Sequence, residues 1–445
     1  MEHGRVPRRC VLVVLDGLGD RAYARFGHKT PLAAAKTPHL DRLAALGCNG
    51  LYHAGILGQP LPSENAHFAM FGYEPCEFPG RGPLEALGAG IPVAPDEVAA
   101  LAHLCSVRER DGCLYMFCDK PARVSDDEGR ALFAAVAEFE SRGVRFRLVR
   151  YKGCFGILAL AGLPELVGTL FTDTNPMVDD LPIPEVLPLR GADAASVNTA
   201  AAVKDYLLHA HAVLSGHPVN RERERRGLDP VNALVTQRPG RLAPIESFTE
   251  RHGLRGLTIA SGIICPGLGR YLGMDVHLCR DTDDPGADLA ARLAVARTAL
   301  ADHDFIHVHT KAPDEAAHTK SPEKKLAVIE ALDRGIGQAI GPILDDENVI
   351  LAVTADHSTP SAGPLIHSGE PVPLAVCGQG ARRDAVASFD EISAAGGALG
   401  HPRGTELLRV LLNAMDRARL EGIRETPVVR EFWPSPCRPF RLRGS

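Results

Sequence analysis

At 445 residues the chain is longer than one hydrophobic core usually serves, so two domains are expected, one inserted in the other. Apolar residues make up 45% and charged residues 23%, and a net charge of −6 gives no basis for a nucleic-acid partner, which leaves a small-molecule enzyme as the class that fits. Eleven cysteines (Cys10, Cys48, Cys76, Cys105, Cys113, Cys118, Cys154, Cys265, Cys279, Cys377 and Cys437) form no CxxC pair and read as reduced thiols of a cytoplasmic protein, and no segment reaches the roughly 18 to 20 apolar residues of a membrane span.

Taken in chain order, the first element is a strand over 11–15. The apolar run is too short for a signal peptide and meets Asp16 at once. A helix follows over 38–46, with proline in its first turn and Leu40, Leu43 and Leu46 on the side that packs on a sheet. The Gly/Pro-rich stretch 78–95 opens a region of different character, and its Gly80-Arg-Gly82 reads either as a hinge or as a plain linker. Shorter strands are expected over 101–107, 114–117 and 155–160, then a helix over 199–214. The charge run 221–226 reads as a solvated helix face.

Strands over 232–235, 257–260, 305–309, 349–354 and 372–376 complete the pattern. Together they predict an α/β domain with a mostly parallel sheet flanked by helices, built from residues 1–80 and 229–445. A smaller α+β domain is expected over 81–228.

The residues that suggest chemistry stand at the ends of those strands, where open α/β sheets gather catalytic groups. Asp16 follows the first strand and precedes Gly17-Leu-Gly19, which fits a ligand and a turn equally well. Asp356-His357 follow the strand over 349–354. Asp314 and His318 sit four apart after the strand over 305–309, so a helix there puts both on one face. His367 lies in the loop before the last strand, and alone it would signify nothing. Three carboxylates and three imidazoles make an oxygen and nitrogen set suited to Mn²⁺ or Zn²⁺, with Mg²⁺ as a third choice, and two ions fit better than one. Ser63, in Pro62-Ser-Glu-Asn-Ala-His67, is the hydroxyl such a site could activate toward phosphorus; it also reads as a helix N-cap.

The order Asp16, Ser63, Asp314, His318, Asp356, His357, His367 resembles the alkaline phosphatase superfamily, and within it the archaeal-type cofactor-independent phosphoglycerate mutases. The resemblance runs nearly end to end through Leu15-Asp-Gly-Leu-Gly-Asp20, Lys29-Thr-Pro-Leu-Ala-Ala-Ala-Lys-Thr-Pro38, Gly80-Arg-Gly-Pro-Leu-Glu-Ala-Leu-Gly88, His217-Pro-Val-Asn220, Lys311-Ala-Pro-Asp-Glu315, Thr354-Ala-Asp-His-Ser-Thr359 and His367-Ser-Gly-Glu-Pro-Val-Pro373. It implies that Asp16, Ser63, Asp356 and His357 hold one metal, that Asp314, His318 and His367 hold the other, and that Ser63 carries the phosphoryl group. It also implies that the inserted domain positions a small phosphorylated carboxylate and closes over the cleft, with phosphoglycerate as the default substrate.

Departures from the family fall on substrate recognition. The serine motif usually reads Gly-Ser-Asp-Thr-Ala-His, Cys118-Asp-Lys-Pro-Ala-Arg123 keeps only Arg123 of an arginine- and glycine-rich stretch, and Pro266 replaces a lysine. A lost ammonium removes a cation that would neutralise phosphate, and Lys120 or Lys152 is the expected substitute, with Arg81 and Arg123 on the carboxylate. Two alternatives to a mutase follow: a phosphatase or phosphotransferase on a related phosphate or phosphonate, and a non-catalytic binding relative. The last sits badly with seven retained ligands.

Overall fold

A computed structural model describes residues 8–121, 123–418 and 442. The chain forms two compact units, one of Met1–Phe78 with Ile245–Ser445 and one of Pro79–Pro244. The thirteen strands among the described residues are β1 Arg9–Leu15, β2 Cys48–Tyr52, β3 Val98–Arg110, β4 Cys113–Cys118, β5 Glu138–Ser141, β6 Val144–Lys152, β7 Phe155–Ala161, β8 Ala233–Arg241, β9 Gly256–Ala260, β10 Asp275–Leu278, β11 Phe305–Thr310, β12 Val349–Thr354 and β13 Val372–Cys377.

The first unit holds a seven-stranded sheet in the order β10-β9-β11-β1-β12-β13-β2. Its first five strands run parallel and β13 runs antiparallel to both β12 and β2, so the mostly parallel α/β sheet expected from sequence is present. Every residue of β11 and β12, and all of β1 beyond Arg9, is buried, as strands covered on both faces require. The helix Pro38–Leu46 has the predicted bounds and buries Leu40, Leu43 and Ala44. Register decides where the strand ends fall. Leu15 pairs with Thr310 and Val14 with Thr354, so the residues after β1, β11 and β12 leave the sheet along one edge.

The second unit holds a six-stranded antiparallel sheet, β4-β3-β7-β6-β5, with β8 also paired to the long β3. The helix Ala194–Ser215 packs on it, placing Tyr206, Ala210 and Leu214 in a core with Leu104, Phe146 and Leu158. Three local readings are corrected here. The strand expected over 232–235 bonds to β3 rather than to the parallel sheet, so the chain re-enters the first unit at Ile245 instead of near residue 229. Gly80 and Gly82 open a helix, Arg81–Ala89, and are required by close packing: a Cβ on Gly82 would meet the Ala99 carbonyl oxygen at 2.2 Å, and one on Gly80 the Gly240 Cα at 2.7 Å. In the charged helix Pro218–Arg225, Arg223 is buried and donates to the Asp229 and Arg123 carbonyls and to Glu128.

The ten described cysteines are free thiols, and Cys437, like residues 1–7, lies outside the described residues. No helix among the described residues is long and apolar enough to cross a membrane.

Candidate metal centre

Parallel strands that end in register deliver three turns to one place, and each turn carries a carboxylate. Asp16 comes directly off β1. Gly17 after it has φ of +63°, and a Cβ there would meet Asp314 Oδ1 at 2.7 Å and Thr359 Oγ1 at 2.6 Å, so only glycine lets the chain turn against its neighbours. The Gly17 N–H donates to Asp356 Oδ1 at 3.0 Å, tying the β1 turn to the β12 turn. After β11 the chain enters the helix Ala312–His318, whose spacing brings His318 Nε2 within 3.2 Å of Asp314 Oδ2.

The predicted ligands gather in two groups. Asp16, Asp356 and His357 each offer a ligand atom within 4.8 Å of the others, and Asp314, His318 and His367 do the same. The two groups adjoin: the His357 and His367 rings stack with centroids 3.9 Å apart, and His367 Nε2 is 3.6 Å from Asp314 Oδ1. Ser63 lies beside the first group, its Oγ 3.0 Å from His357 Nε2. The N-cap reading of Ser63 is corrected, because Pro62 holds the cap position of the helix Ser63–Met70 and Ser63 is its first residue, with no side-chain cap bond. Its hydroxyl is therefore left for the centre.

The donor set fits divalent cations on two observations. Asp16 Oδ1 and Asp356 Oδ2 are buried with no hydrogen-bond partner, the state of oxygens kept for an ion. The imidazoles are already oriented. Thr359 Oγ1 donates to Asp314 Oδ1 at 2.8 Å and stands 3.1 Å from His357 Nδ1, while His367 Nδ1 donates to the Leu61 carbonyl at 2.8 Å; each ring so keeps Nε2 for ligation. Thr359 was not singled out from sequence, and only its place two residues after His357 hinted at it.

Charge in the cluster is unevenly shared. Burial first, then the charges of Asp356 and Asp314, push the Asp16 carboxyl well above the ordinary carboxylate range, with Lys311 pulling the other way. Burial also raises Asp314, but the His318 hydrogen bond and the nearby His357 and His318 charges outweigh it and hold this carboxyl low. Burial, with the nearby His357 charge, pushes the His367 pKa below its ordinary value.

A buried lysine braces the turns. Lys325, on the helix Pro322–Ala339, is fully buried and donates to the carbonyls of Gly19 and Thr359, both at 2.8 Å, and pairs with Asp20 Oδ2 at 3.1 Å. Asp20 also accepts from Ser361 Oγ and Tyr23 Oη, and Glu391, raised to about 7 by burial, accepts from Thr30 and the Asp20 N–H. Replacing Lys325 by methionine leaves Asp20 buried without its cation, an imbalance that costs roughly 3–5 kcal/mol. Urea unfolding of Lys325→Met should show a midpoint lowered accordingly; a loss under about 1 kcal/mol would show that the turns stand without the lysine.

The substrate residues expected from sequence all belong to the second unit. Arg81 donates to Glu85 Oε1 at 2.6 Å in the first turn of its helix, whereas Lys120, Arg123 and Lys152 are exposed. Pro266 is buried on the helix Ile264–Tyr271, so no cation stands there. Lys311, in the first unit, has its Nζ 2.6 Å from where a Cβ on Gly262 would lie, and its charge is felt at Asp16.

Known proteins resemble this chain over most of its length. Residues 8–414 match the metalloenzyme superfamily. A 2,3-bisphosphoglycerate-independent phosphoglycerate mutase of Methanopyrus kandleri is 39% identical over 93% of this chain and 98% of its own, and one of Methanocaldococcus jannaschii is 37% identical over 98% and 100%. Among solved structures, a cofactor-independent phosphoglycerate mutase from Thermoplasma acidophilum superposes with a TM-score of 0.62 at 30% identity, covering 92% of this chain and 100% of that one. A protein from Pyrococcus horikoshii gives 0.77 at 29% identity, covering 94% and 100%.

Proposed function

This chain belongs to the metalloenzyme superfamily, and within it to the 2,3-bisphosphoglycerate-independent phosphoglycerate mutases, and from that premise we propose that it interconverts 3-phosphoglycerate and 2-phosphoglycerate through Ser63. The observation that carries the proposal is the placing of Ser63 Oγ 3.0 Å from His357 Nε2, at the margin of two adjoining ligand groups. Asp16, Ser63, Asp356 and His357 would hold one divalent ion, and Asp314, His318 and His367 the other. Such ions supply Lewis acidity toward phosphoryl oxygens and lower the pKa of a coordinated hydroxyl. The mixed oxygen and nitrogen donors suit Mn²⁺ or Zn²⁺ ahead of Mg²⁺.

The chain's own part is a balanced exchange at Ser63. The Oγ–P bond forms as the substrate's ester O–P bond breaks; the serine gives up its proton and the departing oxygen gains one. Return transfer to the neighbouring hydroxyl of the same molecule reverses both changes, so phosphate is conserved. Lys120 or Lys152 would neutralise phosphate charge in place of the lysine that Pro266 displaces, Arg81 and Arg123 would hold the carboxylate, and Lys311 offers a further cation in the first unit.

Pro266 favours one alternative, transfer from Ser63 to water or to another acceptor. Both are tested together by supplying 3-phosphoglycerate with Mn²⁺, Zn²⁺ or Mg²⁺ and measuring 2-phosphoglycerate and inorganic phosphate. The expected result is 2-phosphoglycerate without phosphate release. Phosphate without 2-phosphoglycerate would make the enzyme a phosphatase, and neither product with any of the ions would remove phosphoglycerate as its substrate.

A further inference from the structure

Behind the centre lies a second gathering of metal-binding side chains that the reaction does not use. β11 alternates inward and outward, so His307 and His309 share one face of the sheet. Against that face packs the helix Ser63–Met70 with His67, whose ring centroid is 5.1 Å from that of His307 and 5.0 Å from that of His309. The helix Ile264–Tyr271 brings Cys265 to the same spot, and His67, Cys265 and His309 each offer a ligand atom within 4.8 Å of the others. All four side chains are buried.

Their hydrogen bonds settle which atoms are free. His67 Nδ1 donates to the Ser63 carbonyl at 2.8 Å, and its Nε2 has no partner. His309 Nε2 is 2.9 Å from Asp16 Oδ2, and its Nδ1 has no partner. Neither ring nitrogen of His307 has one. A buried imidazole nitrogen left unpaired costs about 1–3 kcal/mol, and native interiors hold few such atoms. Here several surround one thiol. A cluster rich in lone pairs and poor in donors calls for a cation.

We propose that His67 Nε2, His309 Nδ1 and Cys265 Sγ form a third, structural metal site for Zn²⁺, with His307 the adjacent imidazole for a fourth position. Two imidazoles and a thiolate are a zinc donor set, and the site is closed to solvent as structural zinc sites are. On binding, the Sγ–Zn bond forms and the thiol proton leaves to solvent. The ion would lock the two rings that hold the Ser63 carbonyl and Asp16 Oδ2, so its place is behind the reacting atoms, as an orienting support.

The test is metal content and spectrum of the full chain, stripped and reloaded with Zn²⁺ or Co²⁺ alone. Wild-type protein should bind one more equivalent than Cys265→Ala, whatever the total, so failure of the two-ion reading and failure of this one are separable. The Co²⁺ form should show a thiolate-to-cobalt charge-transfer band in the near ultraviolet, lost in Cys265→Ala and kept in Cys105→Ala, a buried thiol of the second unit. Equal metal content in wild type and Cys265→Ala overturns the proposal. So does a wild-type Co²⁺ spectrum without the thiolate band, a measurement that stands even if the variant fails to fold.

Discussion

Replacing Ser63 by alanine is expected to reduce turnover of 3-phosphoglycerate by roughly 10⁴-fold or more, the scale seen when a covalent nucleophile is removed. The reason is positional. Ser63 opens a helix whose cap is Pro62, so its hydroxyl makes no cap bond and stands 3.0 Å from His357 Nε2. The N-terminus of that helix carries the positive end of its dipole and favours the negative charge of a phosphoryl group on Oγ. Ser63→Ala removes one atom from a half-buried site and leaves Asp16, Asp356, His357 and the second group in place. Circular dichroism should therefore be unchanged and most of the metal retained, while no phosphorylated protein appears in mass spectra after exposure to substrate. A variant that keeps more than about one hundredth of wild-type turnover would mean that the phosphoryl group travels by another route.

Why the gathering of Ser63 with the candidate ligands, and the sheet, were legible in the chain, and other features were not, depends on the range of the contacts behind each. Asp16, Asp314 and Asp356 each follow an apolar run short enough to be one buried strand, and a carboxylate at such a boundary has few structural uses. The parallel pairing of β1 with β11 and β12 then does the assembly. The helix Arg81–Ala89 was hidden by its glycines and proline, residues that ordinarily interrupt a helix. They are there because the helix lies so close on β3 that Gly82 has no room for a Cβ, a demand visible only once β3 is in place. The membership of β8 was equally a tertiary matter, since nothing in 233–241 distinguishes a partner in one sheet from a partner in the other. Cys265 and His307 gave no signal, because they come near His67 only where one strand and two helices pack.

Binding of divalent ions is expected to release protons and to strengthen as pH rises, and the sign is set by Asp16. In the metal-free chain burial, Asp356 and Asp314 raise this carboxyl well above its ordinary value, so it holds a proton at pH values where an exposed aspartate has long been ionised. A cation needs the carboxylate, and so must expel that proton. Affinity then climbs with pH up to the raised value and levels off above it, with about one proton exchanged per Asp16 engaged. Ligation also adds stability as RT ln(1 + [M]/Kd), about 4 kcal/mol at a thousandfold excess over Kd. The gap in unfolding midpoint between Mn²⁺-loaded and chelator-treated protein should therefore widen as pH rises toward the raised Asp16 value. Chelation should abolish turnover, and Mn²⁺ should restore it. Calorimetric titration with Mn²⁺ in buffers of different ionisation enthalpy counts the protons directly. Binding that is independent of both buffer and pH would show Asp16 ionised before the metal arrives, with the Lys311 charge, which lowers the Asp16 pKa, offsetting part of the crowding of three carboxylates at these strand ends.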